Sequence, residues 1–308
     1  MATQKPQAPT GPESPHSEGR GADQTSERRD AGLARPPALS PLPQERGEGA
    51  QRHRGETFIT SRDNALLKDL RRLAQDSDAH RRQGRVWVEG EHLCSAALAR
   101  GWRPALGVFS ASYWPLAPAG IAQEAIKNVV IDDGLMKGIS DLPSPAPLAF
   151  VIDLPPAPAL LPDAPTVVLD RVQDAGNVGS ILRSAAAFGF AQVAALKGTA
   201  LPWSPKVLRA GMGAHFGLRL VEGLAADDLA ALQVPLLVTS SHEGELLHRA
   251  QLPWPCAWVM GHEGQGVSPE LAARAALALR IAQPGGEESL NVAAAAAICL
   301  HASAGGRA

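Results

Sequence analysis

From Thr57 onward the apolar residues recur in two alternating rhythms. Leu66, Leu67, Leu70 and Leu73 repeat at helical spacing behind Asp63 and Asn64, either of which can cap the helix with its side-chain oxygen. Lys68, Arg71 and Arg72 fall between them, on the other face. Short apolar runs at Val86–Gly90, Ala105–Ser110, Asn128–Ile131 and Leu148–Leu154 predict strands, the first stopped by its glycine. Glu91–Arg100 and Leu135–Ile139 predict helices between them. Strands alternating with helices give a small α/β domain. Pro155, Pro156, Pro158, Pro162 and Pro165 then form a semi-rigid linker.

The rhythm resumes beyond the prolines. Thr166–Leu169, Gln192–Leu196, Leu218–Val221, Leu236–Thr239, Ala257–Met260 and Leu279–Ala282 predict strands. Ser180–Phe188, Pro205–Ala210, Asp227–Leu232, Pro269–Ala276 and Leu290–Ala302 predict helices. Apolar strands in regular alternation with helices imply a parallel sheet covered on both faces. The last helix is so uniformly apolar that it is predicted to be buried on most sides. The chain thus divides into a tail (1–54), a small α/β domain (55–156) and a larger α/β domain (157–308).

Composition changes this picture mainly at the N-terminus. Residues 1–54 are rich in Pro, Gly, Ser, Glu and Arg and hold no Phe, Trp or Tyr. Such a stretch buries too little surface to offset its ordering entropy, so it is expected to be disordered. Arg28, Arg29, Arg46, Arg52 and Arg54 make it either a weak RNA tether or a solvated tail. Hydrophobic residues make up 45% of the 308, enough for real cores, and the formal net charge is -2, so any nucleic-acid surface must be local. One such surface is a cluster around the first helix, Lys68, Arg71, Arg72, Arg81, Arg82 and Arg85, which reads equally as a solvated face. The three cysteines, Cys94, Cys256 and Cys299, are far apart, against a disulfide framework or a zinc site. No apolar run suits a membrane span or a signal peptide, and Glu13, Glu18, Asp23, Glu27 and Asp30 disfavour a transit peptide. The expected setting is the cytoplasm, with no membrane partner and no bound metal.

Three segments carry candidate chemistry. The first, Leu169–Arg183, reads as a strand, a polar loop with Gly176, Asn177 and Gly179, and a helix start carrying Arg183. Loops at the carboxyl ends of parallel strands are where ligands gather, and glycine lets backbone come close to one. In the second, Val259–Ser268, a strand enters a loop with Gly261, Gly264 and Gly266 around Glu263. Its spacing is not that of a dinucleotide loop, and a carboxylate there would repel pyrophosphate. In the third, Arg280–Val292, a strand meets Pro284 and a flexible loop before Ser289 caps the apolar helix. Ser289 and Asn291 would be polar groups at a buried helix entrance, needing either the helix's own N–H groups or a substrate. Gly211–Gly217 imitates a dinucleotide loop but runs from helix into strand. His215 and His262 are possible acid–base groups without a visible partner.

Each segment alone is a weak signal, but the three in this order resemble the motifs of the SpoU (TrmH-like) RNA ribose methyltransferases of the SPOUT superfamily. The matching stretches are Asp174–Arg183, Met260–Gly266 and Ser289–Val292. The likeness spans about residues 57–308. Within it, Phe58–Leu154, marked best by Val86–Gly90, is similar to the substrate-binding domain that resembles ribosomal protein L30e. Residues at Gln283 and Gly285, where relatives are often more apolar, and at Ala293, where Ser is common, depart from the pattern.

The resemblance implies a deep trefoil knot in the C-terminal domain, S-adenosylmethionine as cofactor, and a homodimer whose active site uses both chains. It assigns Gly261, Ile281, Leu290, Gly266 and Pro284 to the cofactor, and Asn177, Arg183, Glu263, Ser289 and Asn291 to the active site. The expected reaction is transfer of a methyl group to a ribose 2′-hydroxyl of structured RNA, ribosomal RNA ahead of transfer RNA. The hydroxyl must lose its proton and approach in line, a positioning task. Arg183 is either the base or, since arginine stays charged, the anchor of an RNA phosphate and of the developing alkoxide. A catalytically silent RNA-binding or ribosome-assembly protein on the same fold is the competing reading. A nicotinamide oxidoreductase is disfavoured by the missing glycine fingerprint.

Overall fold

The computed structural model describes residues 56–240, 243–285 and 289–305, all within one compact unit. The expectations for the tail lie outside them. In the first half the chain runs β1 (Glu56–Ile59), α1 (Ala65–Gln75), α2 (Ala79–Gln83), β2 (Arg85–Glu89), α3 (Glu91–Ala99), β3 (Leu106–Ser110), α4 (Ala119–Ala122), β4 (Lys127–Ile131), α5 (Asp133–Met136) and β5 (Leu148–Asp153). These strands form a five-stranded sheet in the order β1-β4-β3-β5-β2. Only β5 runs antiparallel to its neighbours. Asn64 caps α1 by accepting the Leu66 N–H at 2.9 Å. Leu67, Leu70 and Leu73 lie buried against Trp87, Val108, Val129 and Ile131 on one face of the sheet. Val86, Val88, Phe109 and Phe150 pack on the other face with Leu93 and Cys94 of α3.

The second half runs β6 (Thr166–Leu169), α6 (Ala175–Ala187), β7 (Gln192–Leu196), α7 (Pro205–Gly211), β8 (Arg219–Leu224), β9 (Leu236–Thr239), β10 (Glu245–Leu246), β11 (Ala257–Met260), α8 (Pro269–Ala273), β12 (Leu277–Arg280) and α9 (Val292–Gly305). Its seven-stranded sheet has the order β10-β12-β9-β11-β6-β7-β8 and is parallel throughout. Apolar clusters cover both faces, as the unbroken hydrophobic strands require. Trp258 is fully buried and donates its indole N–H to Ser303 of α9 at 2.8 Å. From β6 the chain builds outward through β7 and β8, then resumes on the opposite side with β9. The loops after β6 and β11 therefore meet where the strand order reverses, the usual place for a ligand in such sheets.

The halves meet in a seam. Leu208 and Phe216 of the second half complete the core under α3. Trp102 donates its indole N–H to the Phe216 carbonyl at 3.0 Å and lies beside Trp203 and Phe216. Glu222 of β8 accepts from His80 Nε2 at 3.0 Å, Arg81 Nε at 3.2 Å and the Trp203 N–H at 3.1 Å. The cysteines are free and buried, Cys94 in the first-half core and Cys256 and Cys299 in the second. Among the described residues no helix is long and apolar enough to cross a membrane.

Several boundaries differ from the pattern-based expectations. Residues 226–231 form a 3-10 turn. The last strand sits two residues earlier than predicted, ending at Arg280. The last helix starts at Val292 and buries only one stripe, Ala296, Cys299, Leu300 and Ser303, leaving Ile298 40% exposed. Its many alanines read as deeply buried, yet small side chains permit close packing on one side without demanding cover on the other.

Candidate active site

The site is built on β6 and β11. Asp170, just past β6, donates its N–H to the Met260 carbonyl, extending the strand pairing by one residue. Its buried carboxylate accepts the Ser268 N–H at 2.6 Å and Arg171 Nε at 3.0 Å. Arg171 has a φ of 62°, a left-handed conformation that costs a non-glycine residue energy unless its surroundings hold it. They do: its N–H reaches Thr199 Oγ1 at 3.1 Å, and its guanidinium reaches Gln265 at 3.0 Å. Thr199 in turn donates to the Leu169 carbonyl. Asp170, Arg171, Thr199 and Gln265 thus fix three loops. Sequence reading spanned Asp170 and Arg171 without giving them a role; a buried Asp at a strand end followed by a left-handed Arg has no periodic signature.

The first motif is a helix start, not an open loop. Asp174 caps α6 by accepting the Asn177 N–H at 2.8 Å, which puts Gly176, Asn177 and Gly179 inside the first turns. A Cβ on Gly179 would stand 2.4 Å from the Ala210 Cβ. This glycine therefore serves the crossing of α6 and α7 rather than a ligand. In the second motif, His262 and Gly266 exchange both backbone hydrogen bonds, folding the loop into a tight hairpin. A Cβ on Gly261 would meet the Gly266 carbonyl carbon at 2.2 Å, so only glycine lets the loop fold back on itself this closely. Gly266 itself is left-handed, φ 69°.

The hairpin presents Glu263. Its Oε1 accepts the Asp174 N–H at 3.0 Å and Asn177 Nδ2 at 3.1 Å, and its Oε2 accepts the Gln173 N–H at 3.1 Å. Partial burial raises the carboxyl pKa, but these donors outweigh it and hold it near about 2. Glu263 is therefore an ionised acceptor, not a proton donor. Asn177 Oδ1 accepts Asn291 Nδ2 at 2.9 Å, and Asn291 Oδ1 accepts the N–H groups of Ala293 and Ala294 at 2.9 and 3.2 Å. Asn291, not Ser289, caps α9. A continuous chain of hydrogen bonds, Glu263 to Asn177 to Asn291 to the start of α9, joins all three motifs.

Other expected site residues lie outside that chain. Arg183 is exposed and, among the described residues, its side chain makes no hydrogen bond or ion pair; it lies six residues along α6 from Asn177, about 9 Å of helix rise. Ser289, Leu290 and Pro284 are exposed, and Ile281 is half-buried. Arg280 Nε and Gln283 Oε1 are buried without a partner among the described residues. His215 is wholly buried, its ring bonded to the Pro202 carbonyl, and burial lowers its pKa to about 4, so it is a neutral core group. His262 Nδ1 accepts the Gly264 and Gln265 N–H groups and shapes the hairpin. The basic cluster is largely spent internally. Arg72 pairs with Asp69, Arg81 with Glu222, Arg82 with Asp76 and Asp78, and Arg85 with Asp153, while Arg71 bonds the Gly138 carbonyl.

Residues 164–301, which hold all these loops, match the model of the SpoU rRNA Methylase family. A solved TrmH-family chain from Porphyromonas gingivalis is 34% identical, with a TM-score of 0.69 over 78% of this chain and 97% of its own. The chain belongs to the SpoU family. An AdoMet-bound rRNA methyltransferase from Sinorhizobium meliloti, 25% identical, superposes with a TM-score of 0.72 over 82% of this chain and 99% of its own. A 23S rRNA guanosine 2′-O-methyltransferase of Bacillus subtilis is 28% identical over 79% of this chain and 97% of its own length. The likeness to SpoU proteins therefore runs through both sheets, beyond the span of the family model.

Proposed function

We propose that this SpoU-family protein transfers a methyl group from S-adenosylmethionine to a ribose 2′-hydroxyl of structured RNA, ribosomal RNA first and transfer RNA second. The observation that carries the reading is the hydrogen-bond chain from Glu263 through Asn177 to Asn291 at the strand-order reversal. The cofactor supplies an activated methyl with its own leaving group. The residues present suit it: Gln283 Oε1 is a buried acceptor without a donor among the described residues, and Ile281 and Pro284 lie beside it in sequence, with Leu290 at the far end of the same loop. Gly261 and Gly266 serve the cofactor indirectly, by shaping the hairpin.

The polar residues then divide their work. Both oxygens of Glu263, and Asn177 Oδ1 with Asn291 Oδ1, are already engaged, so these three hold geometry. The side chains of Ser289 and Arg183 have no partner among the described residues and can donate to substrate. Arg183 anchors an RNA phosphate and stabilises negative charge on the reacting oxygen. The same reading gives residues 55–156 the recognition of RNA and 157–308 the chemistry, with the family's knot around the cofactor loops. It places a second copy against the exposed face of α9, so that Arg183 and Ser289 can act at one centre across two chains. The setting is the cytoplasm.

Two measurements test it. Calorimetry with S-adenosylhomocysteine in chelator should give saturable heat and a thermal shift. Mapping of 2′-O-methyl sites in total RNA with and without the gene should show one site lost with it. Unchanged maps together with no heat would overturn the assignment; heat with unchanged ribose methylation would move the methyl to another RNA atom.

A further inference from the structure

We propose that a cavity of about 130 Å³ between α2 and the carboxyl ends of β7 and β8 is a subsite for one phosphodiester group of the RNA substrate, outside the motif loops. The proposal rests on the reading of the protein as an RNA methyltransferase and adds where the chain beside the target nucleotide is held.

Position is the first ground. Thr199 lines the cavity, and the same hydroxyl holds Arg171 and the Leu169 carbonyl at the motif loops. A group bound here would sit on the far side of Thr199 from Arg171 and the loop after β6. Charge is the second. Lys197 is exposed, and its side chain makes no hydrogen bond or ion pair among the described residues. The Arg81 side chain is 44% exposed and, among the described residues, spends only Nε on Glu222, leaving both terminal amino groups as donors. The Gly198 N–H is also without a partner among the described residues. The positive charge of Arg81 offsets the negative charge of the Glu222 carboxylate in the wall, whose oxygens also accept from His80 and the Trp203 N–H, so Lys197 supplies the net positive charge.

Size and wall chemistry choose the class of ligand. At roughly 30 Å³ per water the cavity holds about four, comparable with the four oxygens of a phosphate. Among the described residues no aromatic side chain lines it, so they offer a base nothing to stack on. Because Arg81 comes from the first half and Lys197 from the second, a phosphate held by both would bridge the seam.

The test is filter retention of ribosomal RNA from cells lacking the gene, against full-length wild type, Lys197→Ala and Lys206→Ala, across a salt series. Lys206 is exposed on α7 and does not line the cavity. Lys197→Ala should lower the salt slope by about 0.7–0.9, as loss of one phosphate contact does, so that its affinity falls about threefold less than wild type's between about 50 and 200 mM salt. Its S-adenosylhomocysteine affinity and thermal midpoint should match wild type, and Lys206→Ala should keep the wild-type slope. An unchanged slope in Lys197→Ala, or an equal drop in Lys206→Ala, overturns the subsite while leaving the methyltransferase reading intact. Wild type that retains no RNA overturns both.

Discussion

Glu263 accepts two backbone N–H groups and the Asn177 amide, and its carboxyl falls from an ordinary 4.5 to about 2. A lowered folded-state value adds stability that is complete above the ordinary pKa and is lost as pH falls through the folded one. Glu263→Gln should therefore be less stable than wild type in denaturant at pH about 7, with the difference shrinking as pH falls from about 4.5 toward 2. The pH–rate profile above that range should show no limb from Glu263. Equal stability of the two proteins at neutral pH would remove its role as the clasp of the first two motifs. Arg183 makes the opposite prediction. With no side-chain partner among the described residues, Arg183→Ala should leave stability and cofactor binding unchanged but slow single-turnover methyl transfer on saturating RNA by on the order of 10²–10³-fold. Lys should rescue poorly, because a point charge cannot reproduce the planar fork. Reaction within about threefold of wild type would make Arg183 a surface residue.

At the scale of the element, Gly179 decides how closely α6 and α7 can cross. An added methyl would meet not only the Ala210 Cβ but also its carbonyl carbon at 2.7 Å and the Gly211 nitrogen at 2.8 Å. Gly179→Ala should cost about 1–3 kcal/mol by overpacking. Ala210→Gly should not restore it, since the remaining contacts are backbone; full rescue in a denaturant titration would contradict this geometry. Periodicity made nearly every strand legible, because both faces of the parallel sheet are apolar and each run is bounded by polar turns. It missed β1, whose Glu56, Thr57 and Phe58 are exposed and whose partner β4 lies about 70 residues away. It misplaced the start of α6 because Gly176 and Gly179 imitate a loop, whereas Asp174 had already supplied the cap. In the site, the residue types were readable from the motif order, but their connections were not. That Asn291 caps α9 while holding Asn177 depends on contacts across 114 positions.

Across the whole molecule the seam makes two sheets behave as one body. Glu222, with only 12% of its side chain exposed, is held ionised by His80, the Trp203 N–H and Arg81 against the cost of burial. Removing Glu222 leaves the buried His80 ring nitrogen and the Trp203 N–H without their acceptor, which typically costs about 1–3 kcal/mol for each unsatisfied group. Wild type should melt in a single transition whose calorimetric and van't Hoff enthalpies agree. Glu222→Ala should melt earlier and separate into two transitions as the seam loosens. One unaltered transition in the variant would assign the coupling to the Trp102, Trp203 and Phe216 contacts instead.

The three cysteines turn that body into its own recorder. Burial pushes the Cys94 thiol far above the usual range, Cys256 to about 11 and Cys299 to about 12. Only a thiolate attacks an alkylating reagent, so each sulfur stays silent until its surroundings open. Cys94 sits in α3 beside the seam, Cys256 immediately before β11, and Cys299 in the buried stripe of α9. A single time course of alkylation, read peptide by peptide, would clock three separate openings without one introduced label.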